Sequence, residues 1–121
     1  MRAVGFLFGS NVQKQAGISE GEAMINLIAE TATLPHAWRS RIVGKIAGAN
    51  LKIIRMDEAG IPSESHADFD EALFVLDGSM TLDVEGELIA MSAGDFFVIP
   101  AGKSHRVLEG SRGLLFLVDA E

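Results

Sequence analysis

Three histidines occur in the chain, His36, His66 and His105, and His66 stands in the stretch ESHADFDE (residues 64–71) among four acidic side chains. Imidazole nitrogen and carboxylate oxygen are the donors that hold divalent transition metals. Glu64 and His66 are two residues apart, so on an extended segment both side chains leave the same face. At a rise of ~3.3 Å per residue their Cα atoms stand about 6.6 Å apart. Side chains at that spacing can converge on one cation about 2.0–2.2 Å from each donor atom. Glu71, opening the next apolar run, can return a carboxylate to the same place, and Asp68 shares the face only if the strand continues that far. The competing reading is a solvated loop, because a histidine near a turn is more often a hydrogen-bonded structural group than a ligand. The segment alone leaves both open.

The rest of the chain narrows the chemistry. It has 121 residues, enough for one domain that buries roughly two-thirds of its unfolded surface without staples. There is no cysteine, which excludes disulfides, thiolate metal sites and cysteine nucleophiles together. A metal here is therefore held by nitrogen and oxygen. The net charge is −7 and the basic residues are unclustered, which argues against a nucleic-acid partner. No apolar run approaches the ~20 residues of a membrane span. The apolar part of MRAVGFLFGS is shorter than the roughly 7–15 residues of a secretory signal core, so a cytoplasmic location is expected.

These side chains need strands to position them. Residues 1–39 read as an N-terminal segment carrying a short helix, and 40–121 as a β-domain. VGFLF reads as a strand whose place is open: a sheet edge, a segment on a neighbouring subunit, or a tail. The stretch NLIAETA has good helix formers with Asn26 as N-cap, and Leu34-Pro35 ends the helix. RIVGKIA and LKIIRM read as strands joined by a turn at GAN. Asp77-Gly78 and Glu85-Gly86 are expected turns separating ALFVL, MTLDV and LIAM. FFVI and LLFLV follow after SAGD and EGSRG. Short strands every 8–12 residues with glycine-marked turns make an antiparallel sandwich or barrel. Met24, Met56, Met80 and Met91 read as core filler, and Trp38 as a packing residue.

From Glu64 to His105 the chain resembles the cupin family. The first cupin motif is H-x-H, three or four residues, E, six residues, G; here Glu64-Ser65-His66, Glu71 and Gly78 keep that spacing. The second is G, five residues, P-x-G, two residues, H, three residues, N; GDFFVIPAGKSH supplies Gly94, Pro100, Gly102 and His105, with Glu109 in place of Asn. The resemblance implies an all-β double-stranded β-helix, the jelly-roll barrel, with a short N-terminal helix. It gives Gly78, Gly94 and Gly102 the role of tight corners. Pro100 is expected to stiffen the turn that aims His105 inward. It implies a divalent metal, Mn²⁺, Fe²⁺, Zn²⁺ or Ni²⁺, on Glu64, His66, Glu71 and His105. Glu64 departs from the family's histidine. Either it is a ligand, making a two-histidine, two-carboxylate shell suited to harder ions and weaker in Lewis acidity, or it pairs with a neighbour. Asp68, Asp70 and Arg106 flank the set, the aspartates as solvated loop residues or as outer acceptors for a ligating imidazole. Two functions follow from the resemblance: a metal-dependent enzyme acting on a small molecule in the barrel pocket, or a non-catalytic small-ligand-binding or sensing protein. No general base or nucleophile is identifiable beside the ligands. Small relatives often dimerise, and the apolar start and two-sided apolar strands point to a homodimer.

Overall fold

The computed structural model of the chain describes residues 24–65 and 67–120, and of residues 62–65 the backbone alone. The expected N-terminal strand at VGFLF lies outside the described residues. Among the described residues one helix, α1 (Leu27–Ala32), precedes eight strands: β1 (Arg41–Ile46), β2 (Ala49–Met56), β3 (Ile61–Ser65), β4 (Glu71–Val84), β5 (Glu87–Ser92), β6 (Phe96–Ile99), β7 (His105–Val107) and β8 (Arg112–Asp119). Asn26 caps α1, its Oδ1 accepting the Ala29 N–H at 2.9 Å. The helix is too short to cross a membrane.

The strands pair antiparallel in the order β1-β2-β8-β4-β7-β3, with β5 and β6 also on β4. β4 is thus common to two leaves. Its first half lies between β8 and β6, its second half between β5 and β7. This is the jelly roll, with the core between the leaves: Ile54, Leu73, Val75, Met80, Leu82, Met91, Ile99, Leu115 and Leu117 share one buried cluster.

The expected turn at Asp77-Gly78 is absent. β4 runs through it with a bulge between Val75 and Asp77. Across the bulge the buried set passes from odd positions (Leu73, Val75) to even ones (Met80, Leu82, Val84), so the inner face is kept while the strand changes leaf. Gly78 at φ 85° makes this crossing: a Cβ there would stand 2.2 Å from the Arg112 carbonyl oxygen. The Asp-Gly pair marks a positive-φ residue, and β8 running alongside turns it into a kink rather than a hairpin. Gly94 and Gly102 also have positive φ, at 93° and 84°. The turn placed at GAN is narrower than expected. Ala47 takes φ 54°, and Ala49 and Asn50 already belong to β2, because Asn50 pairs with Asp119 of β8. Met56, Met80 and Met91 are core, but Met24 is exposed, lying ahead of the helix cap beyond the reach of any sheet.

Trp38 holds φ 63°, a strained value for a bulky residue. Its N–H donates to the Arg55 carbonyl at 2.8 Å, its Nε1–H to Asp57 Oδ1, and its ring packs on the core. Asp57 also accepts the Ala59 N–H at 2.9 Å. The Trp38 bond first, then the Ala59 bond, holds its carboxyl below the ordinary aspartate value.

Two outcomes are expected. Gly78→Ala should cost more than about 4 kcal/mol in urea unfolding, or prevent folding, because backbone blocks the new Cβ. Gly94→Ala, with open space around it, should cost about 1–2 kcal/mol from φ alone. The Asp57 contact should be readable in the fluorescence of Trp38, the single tryptophan. Because the folded-state pKa is the depressed one, this stabilisation is complete above the ordinary aspartate value of about 3.9 and is lost as pH falls through the lower folded value. Emission should hold steady down to about pH 4, change only below it, and lose that step in Asp57→Asn. A midpoint above pH 4 would contradict the assignment.

Candidate metal centre

Glu71 opens β4 and His105 opens β7, and the corner at residues 100–104 brings them together. Pro100, Ala101, Gly102 and Lys103 form a turn closed by the Lys103 N–H to the Pro100 carbonyl at 3.3 Å. The corner is fastened to the segment before β4 at two points. Gly102 N–H donates to the Ala67 carbonyl at 2.7 Å, and Ala101 N–H to Asp70 Oδ1 at 2.8 Å. On its other side the Ser104 carbonyl accepts the Glu85 N–H at 3.0 Å. His105 then enters the sheet between Val84 of β4 and Ser65 of β3 and points inward with Val107.

The two side chains are buried, His105 at 0% and Glu71 at 2% exposure, with His105 Nε2 3.5 Å from Glu71 Oε1. His105 Nδ1 lies 3.1 Å from the Lys103 carbonyl oxygen. A carbonyl only accepts, so Nδ1 carries a proton, and in the neutral ring Nε2 is the nitrogen with a lone pair. That lone pair faces a carboxylate oxygen. Two buried Lewis bases at this range are placed to share a proton or a cation. The spacing suits a shared ion: donors each ~2.1 Å from a tetrahedral centre stand roughly 3.4 Å apart. The backbone acceptor on Nδ1 is also the arrangement that orients ligating histidines.

The structure therefore brings together two of the four sequence candidates, Glu71 and His105. The side chain of Glu64 and the whole of His66 lie outside the described residues. Among the described residues, no group of three or more histidine and acidic side chains is placed to hold a metal. Asp70 fastens the corner and Asp68 is exposed, so neither is seen to orient an imidazole. Arg106 faces outward, pairing with Asp83 at 3.1 Å, and His36 and Glu109 are exposed.

Sequence reasoning missed a second group of charges on the inner face. Lys52, with no exposed surface, reaches Asp119 Oδ2 at 2.9 Å, and Asn50 Nδ2 donates to Asp119 Oδ1 at 3.1 Å. The signal was present in the strand alternation. Lys52 shares parity with Ile54 and Met56, and Asp119 with Leu115 and Leu117, so strict period-two reading turns both inward.

Residues 53–118 match the cupin domain family. The fold is similar to a cupin-2 domain-containing protein from Shewanella frigidimarina, with TM-score 0.72 and 21% identity over 80% of this chain and 94% of that one. It is similar to a Neisseria meningitidis protein, with TM-score 0.70 and 23% identity over 82% and 100% of the two chains. It is also similar to KdgF from Halomonas, with TM-score 0.58 and 22% identity over 68% and 77%. Among curated proteins there is no match. Likeness at these identities carries the fold and not the reaction. The family match spans more than half of the chain and takes in both Glu71 and His105: this protein belongs to the cupin family.

Proposed function

We propose that the barrel binds one divalent cation, Mn²⁺, Fe²⁺, Zn²⁺ or Ni²⁺, on His105 and Glu71 together with His66 and Glu64, and presents it to a small molecule. The observation that carries this reading is the approach of His105 Nε2 to Glu71 Oε1 in a buried setting, with Nδ1 turned to a carbonyl. The donor set contains nitrogen and oxygen only, which suits borderline and harder ions. When bound, such an ion supplies Lewis acidity toward a carboxylate, enol or sugar oxygen. The chain's own contribution is to fix the imidazole's tautomer, to aim Glu71, and to keep both buried. Reaction class does not follow from the fold. In the second reading, the chain binds a small ligand without turning it over. It draws on the inner face itself, where Lys52 and Asp119 are engaged with each other rather than placed as a general base.

Purified protein, stripped and offered each of the four ions, should take up about one equivalent. His105→Ala and Glu71→Gln should each weaken uptake at least roughly tenfold, with Glu58→Gln, which breaks only an exposed pair with Arg112, as the control. Loss in His105→Ala with no loss in Glu64→Ala would remove Glu64 from the shell. Wild-type protein that stays empty with all four ions would overturn the metal-binding reading.

We further propose a homodimer. The outer face of the β6–β4–β8 leaf carries an aromatic ladder, Phe96–Phe74–Phe116, flanked by Val98. Phe96 is 63% exposed, Phe74 37% and Val98 39%, a contiguous apolar patch of the kind that marks an interface. Light scattering after size-exclusion chromatography should give twice the chain mass, and Phe96→Glu should give a monomer. A monomeric wild type at millimolar concentration would refute the assembly.

A further inference from the structure

We infer that Lys52 and Asp119 form a charge-setting pair that governs how tightly the Glu71–His105 end of the barrel holds a divalent cation, an inference that rests on the metal-binding reading above.

The pair belongs to the same inner surface as Glu71. β4 and β8 pair through Ala72 and Val118, so Glu71 and Asp119 are the next residue on each strand, and both are buried. Facing residues of antiparallel strands stand ~5 Å apart, which makes the two carboxylates neighbours. On the other side of Asp119 lies Asn50, its partner on β2, and Lys52 reaches up to Asp119 from the row below. That lower row is otherwise aliphatic: Lys52 faces Leu117, which faces Leu73. A lysine is not required there for packing, and a buried ion pair adds little net stability over an aliphatic replacement.

What the pair supplies is charge. Lys52 offsets one of two adjacent carboxylates, and the described inner surface keeps one net negative charge for a cation to meet. It also holds both oxygens of Asp119, one on Nζ and one on Asn50 Nδ2, which keeps Asp119 from acting as a further ligand. Removing either member changes the field in opposite directions. Without the carboxylate, an ammonium remains to repel the ion; without the amine, a second carboxylate is released beside Glu71.

The test titrates stripped full-length protein with Mn²⁺, Fe²⁺, Zn²⁺ and Ni²⁺ in turn against a chromophoric chelator, and records the melting temperature of each variant. Asp119→Asn should weaken binding by roughly tenfold or more, and Lys52→Met should tighten it by a similar factor. Lys52→Met/Asp119→Asn should return within about threefold of wild type, because the net charge is restored. If Lys52→Met fails to fold, Asp119→Asn and the double variant still decide the matter. Affinities equal in every variant, with only melting temperatures moving, would make the pair a stability element and overturn the inference alone. A wild type that takes up none of the four ions would defeat the metal-binding reading and this inference with it.

Discussion

Between Val75 and Ser79, β4 passes from one leaf of the barrel to the other, and it does so through a contact that only glycine permits. A Cβ on Gly78 would stand 2.2 Å from the Arg112 carbonyl oxygen, and one on Gly113 would stand 2.0 Å from the Asp77 carbonyl oxygen. The close approach of these two backbones holds β8 against the kink while the inner parity of β4 shifts by one residue. Its first half thereby carries Glu71 in the leaf of β8 and β6, and its second half pairs with β7 and His105. The meeting of Glu71 with His105 depends on that crossing, although the glycines themselves touch neither side chain.

The inner surface divides into an aliphatic body and a polar end. Leu73, Val75, Met80, Leu82, Met91, Ile99, Leu115 and Leu117 fill the body, and burial of this kind is the main force favouring the fold. At the polar end Glu71, His105, Lys52, Asp119 and Asn50 are all buried. Removing charged groups from water costs several kcal/mol each, and mutual attraction offsets that cost only when geometry is good. Such a cluster is not how a chain this size gains stability. It persists because the surrounding strands are fixed by their ladders and the corner at 100–104 is fastened to residues 67–70. The scaffold is stable enough to hold charges where water would otherwise have them.

The second motif was the most legible part of the site. Gly94, Pro100, Gly102 and His105 were legible through their resemblance to the cupin pattern, which places a short turn ahead of the histidine. The α1 cap, the β4–β5 hairpin at Glu85-Gly86 and the strands at LKIIRM and LLFLV were legible from local pattern: each is decided by a few neighbouring residues. Asp77-Gly78 was misread because a positive-φ pair signals a bend of the backbone without saying whether another strand lies alongside. Lys52 and Asp119 were passed over because charged residues are ordinarily assigned to the surface. Only the parity of their aliphatic neighbours marked them as inward.

The amino-acid sequence by itself determined the strand class, the two motif spacings and the exclusion of thiolate chemistry. Each follows from residue type and short-range geometry. The meeting of Glu71 with His105, 34 positions apart, and of Lys52 with Asp119, 67 apart, was decided only by the tertiary structure. Cross-strand neighbours are set by how whole leaves register on one another through β4. That register is a property of the packed core rather than of any local stretch of chain.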